Sequence, residues 1–232
     1  MNERILYEDN HIIIINKLPG EIIQGDKTGD IPLVEDVKAY IKERDAKPGN
    51  VFLGVVHRLD RPVGGTVIFA KTSKALTRLN EMLRKGEIHK TYWALTRQQP
   101  PKESEVLTHY ITTVERNNKS YASLTPKSDA KESRLIYTLL ANGERYSLLE
   151  IQLLTGRKHQ IRVQLSSIGC PIKGDLKYGD KRSNPDGSIS LIARNIQFRH
   201  PVSGNNVNVT APVPNDRLWQ KLTQNINRQK CL

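Results

Sequence analysis

An α+β fold built on a largely antiparallel sheet is predicted for this chain by three observations. Between residues 88 and 154, five β-rich runs follow one another with only turns between them: 88–97, 105–114, 120–125, 133–141 and 146–154. Consecutive strands of that kind favour antiparallel meanders over the alternating strand and helix units of a doubly wound sheet. Apolar residues at helical spacing appear in four separate places rather than after every strand. The 232 residues are 37% apolar, enough to bury a sizeable core.

In chain order, Ile5 to Tyr7 and His11 to Ile15 read as two strands of a hairpin, with Glu8-Asp9-Asn10 as its turn. Lys17-Leu18-Pro19-Gly20 breaks the pattern. Leu33, Val34, Val37 and Ile41 predict a helix over 33–44, followed by a Pro48-Gly49 loop. Apolar strands follow at 51–56 and 66–70. Thr72 or Ser73 then caps a helix with Leu76, Leu79, Met82 and Leu83 on one face and Gly86 as its stop. After the meander, residues 157–168 place Ile161, Leu165 and Ile168 together and predict a basic helix ending at Gly169. Strands near 190–199 and 206–211 lead to a last helix opened by Pro214, in which Leu218, Leu222 and Ile226 recur at fours. The whole chain, 1–232, reads as one domain; if it has a waist, the loop at 98–104 is where the waist is expected.

Composition narrows the function. No apolar run approaches the roughly 20 residues that cross a bilayer, and the start MNERILYEDN lacks the order of a secretory signal. The expected address is therefore the cytoplasm. Cys170 and Cys231 are the only cysteines, and the six histidines are scattered, so no zinc-type spacing exists. With 36 basic against 24 acidic residues the net charge is +12. The excess is clustered: residues 78–102 carry six Lys/Arg and two Glu, 155–182 carry seven and two, and 217–232 carry four and none. Clusters of this kind read as a nucleic-acid footprint, against the plainer reading of a solubilising surface.

The densest chemistry lies in HRLDRPVGGTVIFAK, from His57 to Lys71. Asp60 stands between Arg58 and Arg61, and the following Gly64 and Gly65 allow a sharp turn or close approach to a ligand. Flanking cations favour a charged carboxylate. Held at a strand edge beside groups that attract polyanions, it suits a nucleophile or a base working on a phosphate-bearing substrate; the alternative is an arginine pair solvating a loop aspartate.

Three other segments bear on the site. Residues 65–72 have the length of a phosphate-binding loop but carry Ala70 in place of its second glycine. Their Thr-Val-Ile-Phe interior reads as a strand, whose amides would not converge on a phosphate. In 155–162, a glycine precedes a basic helix start. Arg157 and Arg162, five residues apart, point differently around a helix axis, which allows one to face phosphate and the other to face inward; the alternative is that both simply contact solvent or RNA backbone. An inward arginine near Asp60 would form a charge-assisted pair with it. In Lys90-Thr91-Tyr92-Trp93-Ala94, strand alternation puts Lys90 and Tyr92 on one face, a ring beside a cation that suits stacking on an unpaired base; packing in the core is the competing reading.

Together these segments resemble the pseudouridine synthases of the RluA type. The resemblance rests on His57-Arg58-Leu59-Asp60-Arg61 with Ala70-Lys71, on Lys90-Thr91-Tyr92-Trp93-Ala94, and on Leu154-Thr155-Gly156-Arg157-Lys158-His159-Gln160-Ile161-Arg162. It continues through Gly174-Asp175 with Tyr178-Gly179 and through Leu191-Ile192-Ala193 with Phe198-Arg199-His200-Pro201, while Asn16-Lys17-Leu18-Pro19-Gly20 matches the amino-terminal motif. Six motifs in family order are highly specific. The resemblance implies an α+β catalytic domain with a long bent sheet, converting selected uridines of RNA to pseudouridine without cofactor or metal. It implies Asp60 as the catalytic aspartate, Tyr92 as the residue stacking on the target base, Arg162 as the partner of Asp60, and Arg58 as the arginine that helps extrude the uridine. Arg61, Lys90, Arg157, Lys158 and His159 join Arg58 as expected RNA contacts. Ribosomal RNA is the first expected substrate and transfer RNA the second, with no obligate protein partner. Some relatives carry a preceding S4-type domain; with the first motif near residue 16, none is expected here.

Two departures bear on specificity. Val63-Gly64-Gly65 stands where most relatives have Thr-Ser-Gly, and Gln164 where they often have histidine. Neither removes Asp60, Tyr92 or Arg162. The rival expectations are a non-catalytic RNA-binding protein on the same frame and a hydrolase using Asp60 as base, which would release uracil or cut the chain.

Overall fold

A computed structural model describes residues 1–229. The chain runs through β1 (Ile5–Glu8), β2 (Ile12–Lys17), α1 (Leu33–Arg44), β3 (Gly54–Val55), β4 (Gly64–Ala70), α2 (Ser73–Lys85), β5 (His89–Thr96) and β6 (Ser104–Val114). It continues with β7 (Lys119–Ser123), β8 (Lys131–Asn142), β9 (Ser147–Leu153), α3 (Gln160–Ser167), β10 (Leu191–Arg199), β11 (Asn206–Thr210) and α4 (Arg217–Gln229). These form two compact units. The first comprises Met1–Lys90 and Ala193–Pro212; the second comprises Thr91–Ile192 and the described residues from Val213 onward. The loop at 98–104 lies inside the second unit and is no waist. The chain changes units within β5, within β10 and again after Pro212, so only the last of the three crossings falls in a loop.

In the first unit β2 pairs antiparallel with both β1 and β4, β3 also pairs with β4, and β10 pairs with β11. Residues 12–15 are four consecutive isoleucines, each fully buried. A strand needs that run only if both faces of its sheet are covered, because alternate side chains point to opposite sides. Ile12 and Ile14 pack with Ile68, Ala70 and with Ala75 and Leu79 of α2. Ile13 and Ile15 pack with Val67, Phe69 and with Leu33, Val34, Val37 and Ile41 of α1. The Thr72 hydroxyl accepts the amide of Ala75, and Gly86 ends α2 in the left-handed region, both as expected. The strand expected over 51–56 is shorter, Gly54–Val55 alone.

The second unit holds the meander, in the order β5-β9-β8-β6-β7, antiparallel throughout. Its α3 begins three residues later than the 157–168 periodicity suggests. His159 adopts a positive φ of 54°, and the Gln160 side chain organises the turn before it. Gln160 Oε1 accepts from the Thr155 hydroxyl and the Arg157 amide, while Nε2 donates to the Arg134 carbonyl. The last helix likewise starts at Arg217 rather than Pro214, because Asp216 Oδ1 accepts the amides of Leu218 and Trp219. Its Trp219 and Leu222 are buried. Cys231 and the end of the third basic cluster lie outside the described residues.

Candidate active site

The Asp60 loop belongs to the first unit, between β3 and β4. Its Asp60 carbonyl accepts the Val63 amide at 3.0 Å, closing a turn over 60–63. Beneath the turn lies Lys17, at the end of β2 and only 1% exposed. Its ammonium donates to the carbonyls of Val63 at 2.7 Å, Arg61 at 3.1 Å and Asp60 at 3.4 Å, and to that of Leu18 at 3.1 Å. A buried ammonium with this many acceptors fixes the loop backbone on the strand below. Burial pulls the Lys17 pKa down to about 8, opposed in part by the charges of Glu21 and Asp60.

At the far side of the loop, Gly65 has φ of +112°, and a Cβ there would stand 2.3 Å from the Ala193 carbonyl oxygen. No side chain fits, so this glycine serves close approach of β4 to the backbone at Ala193. Gly64 and Gly65 are the first residues of β4 rather than a turn, and the phosphate-loop lookalike over 65–72 runs into this buried strand. His57 is buried; its Nε2 accepts the Ile68 amide at 3.2 Å. Burial, with the Lys90 charge, holds its pKa near 3, so the imidazole is neutral and acts as a structural acceptor. Arg58 and Arg61 are exposed, and Arg61 pairs with Asp30. Lys90 is half-buried in β5, and its pKa is lowered by burial.

Directly after Lys90 the chain enters the second unit at Thr91, and the next residue, Tyr92, is buried opposite Ile151 of β9. Trp93, on the other face, donates from Nε1 to Glu150 at 3.2 Å. Arg162 is buried in α3 and gripped in a fork by Asp175: Nε to Oδ2 at 2.7 Å, Nη2 to Oδ1 at 2.8 Å. Its guanidinium also lies 4.9 Å from the Tyr178 ring centre. A bidentate pair plus a ring leaves this side chain little freedom. Arg157 is exposed and Arg162 buried, the division expected, but Arg157 stands in the turn before the helix rather than on it. Lys158 is exposed and pairs with Glu115 at 3.1 Å. His159 is buried, with Nδ1 2.7 Å from the Tyr178 hydroxyl. Gln164, the second departure from the family pattern, is fully buried; its amide nitrogen reaches the carbonyls of Leu107 and Ser133 and the His109 ring, tying α3 to β6 and β8.

Thus Asp60, Arg58, Arg61 and Lys90 belong to one unit, and Tyr92, Arg157, Lys158, His159 and Arg162 to the other. Lys17, Asp175 and Tyr178 were assigned no role from sequence. Lys17 carried a signal, a cation at the end of a strand that opens with four isoleucines, and like Asp175 and Tyr178 it stood in a family motif, but their partners are distant in the chain.

A sheet-based α+β fold carrying these motifs defines a class of RNA-modifying isomerases, and comparison with known proteins agrees. Residues 11–167 match the RNA pseudouridylate synthase family. The chain is 33% identical over 233 residues to the ribosomal large subunit pseudouridine synthase C of Buchnera aphidicola, covering 97% of this chain and 71% of that one. It is 30% identical over 249 residues to the synthase D of Xanthomonas campestris, covering 97% and 70%. Among solved structures, human RNA Pseudouridylate Synthase Domain Containing 4 superposes with a TM-score of 0.78 at 23% identity, over 97% of this chain and 94% of that one, a likeness of fold. The chain belongs to the RNA pseudouridylate synthase family. It is an RNA pseudouridine synthase, an isomerase acting on RNA.

Proposed function

We propose that this enzyme isomerises uridine in the RNA of the large ribosomal subunit, in the cytoplasm and without an obligate protein partner. The observation that carries the substrate is that relatives at about a third identity, over nearly the whole chain, are large-subunit synthases of the C and D types. Asp60 is the catalytic carboxylate. The reaction breaks the bond from uracil N1 to ribose C1′, turns the ring and joins C5 to C1′, and a positioned carboxylate starts it by attack on C1′ or by removing a sugar proton. Arg162 supports the charged carboxylate, and its fixation by Asp175 supports that role, since a guanidinium already aligned costs no reorganisation during the reaction. Tyr92 supports the detached base. A stacked uridine reaches the carboxylate only by flipping out, at a cost of a few kcal/mol; Arg58 takes its place. Arg61, Lys90, Arg157, Lys158 and His159 line the path of the RNA, the exposed members meeting phosphates directly.

Mapping pseudouridine in total RNA from cells lacking the gene tests the substrate. The expected result is one or more uridines of large-subunit RNA that stay unmodified and that the purified enzyme restores on the RNA in vitro. Losses confined to transfer RNA would overturn the ribosomal assignment. Release of free uracil or chain scission, rather than an isomer of unchanged mass, would indicate hydrolysis instead.

A further inference from the structure

A groove of about 430 Å³ lies within the second unit, between β7 and the short 3-10 turn Leu176–Tyr178, with Val163 of α3 on its floor. None of the residues given a role in the reaction above lines it. Its rim carries two lysines, Lys119 and Lys177, and none of its lining residues is acidic. Tyr121 and Leu176 present large apolar surfaces there, 46% and 56% exposed. The Tyr121 ring is steadied twice: Asn117 donates to its hydroxyl at 3.0 Å, and the Lys119 ammonium lies over one face, 5.7 Å from the ring centre.

We propose that this groove holds one unpaired nucleotide of the substrate RNA, its base on Tyr121 and its phosphate between Lys119 and Lys177. The inference rests on the enzyme's action on RNA. An exposed, oriented aromatic ring next to cations, without carboxylates, is the combination that single-stranded nucleic acid uses, because every base has a face to stack and every phosphate a charge to neutralise. A peptide adding as a strand is disfavoured. β7 ends the sheet order of this unit, but its outward amide at Ser120 already donates to the Tyr178 hydroxyl at 2.8 Å. The same Tyr178 links groove and chemistry: Lys119 stands 5.5 Å and Arg162 4.9 Å from its ring centre.

The test uses the full chain and a fluorescein-labelled single-stranded oligouridylate, with binding read by anisotropy across a salt series. Tyr121→Ala is expected to weaken binding about tenfold and Tyr121→Phe to restore it. Lys119→Ala combined with Lys177→Ala is expected to weaken binding by a similar factor and flatten the slope of log affinity on log salt by roughly 0.7. With the natural RNA, KM rises to match and kcat stays at the wild-type value. Wild-type affinity and salt slope in these variants would overturn the subsite, as would a Tyr121→Phe variant no better than Tyr121→Ala. The outcomes separate from those of the parent reading: weaker binding by the variants of a protein that makes no pseudouridine leaves the subsite standing and removes the enzyme assignment, whereas full turnover with unaltered binding removes the subsite alone.

Discussion

Position 65 tolerates no side chain, since a Cβ would meet the Ala193 carbonyl at 2.3 Å and φ is +112°. Gly65→Ala is therefore expected to destabilise the protein by about 3 kcal/mol or more, read as a lowered urea midpoint, because both the clash and the backbone strain fall on buried main chain. A midpoint equal to wild type would mean that β4 and the Ala193 backbone can part freely. The sequence marks this glycine pair as a place for a sharp turn or for close approach to a ligand; what Gly65 approaches instead is the Ala193 backbone, over a hundred positions away, which leaves no local trace. Asp60 and Arg162 were legible as individuals, through flanking charge and through a basic segment with one arginine turned inward. The fork of Asp175 on Arg162 was not, because charge-pair geometry has no periodicity to read.

Elements with local punctuation were read well. α1 is marked by its apolar spacing, and α2 by its spacing together with a threonine cap and a glycine stop. α3 was misjudged because what delays it is Gln160 reaching the Arg134 carbonyl on β8, a tertiary contact that overrides a tempting helical spacing. Lys17 belongs to this scale as well, since it joins the end of β2 to the 60–63 loop. Lys17→Met is expected to keep the shape of the side chain, lose the bonds to the loop carbonyls, and lower kcat by on the order of tenfold or more with little change in KM, as a misplaced catalytic group does. In the wild type, turnover should also decline as pH rises past about 8, where the ammonium loses its charge, and Lys17→Met should lack that limb. The stability effect of this group has the opposite sign. Its folded pKa lies below the unfolded value, so the unfolded chain holds more protons between about 8 and 10.5. The contribution of Lys17 to folding therefore improves as pH climbs through that window and is lost as pH falls through about 8.

Across the whole molecule, the charge of +12 and its clustering were visible from sequence and called for a polyanion. If about four of these cations meet single-stranded phosphates, log affinity for RNA should fall with log salt at a slope near −3, measured by titrating binding against salt; a flat response would remove the electrostatic footprint. The antiparallel meander was legible because its strands succeed one another with only turns between. The partition into two compact units was not, because two of its three crossings fall inside strands, β5 and β10, and only the one after Pro212 falls in a loop. The proposed roles are carried by residues of both units, and all of them depend on the carboxylate of Asp60. Its conservative replacement gives the most direct measurement: tritium release from RNA labelled at uridine C5, with binding of the same RNA followed in parallel. Asp60→Asn is expected to bind close to wild type and release no tritium above background, and turnover by that variant comparable to wild type would contradict the account.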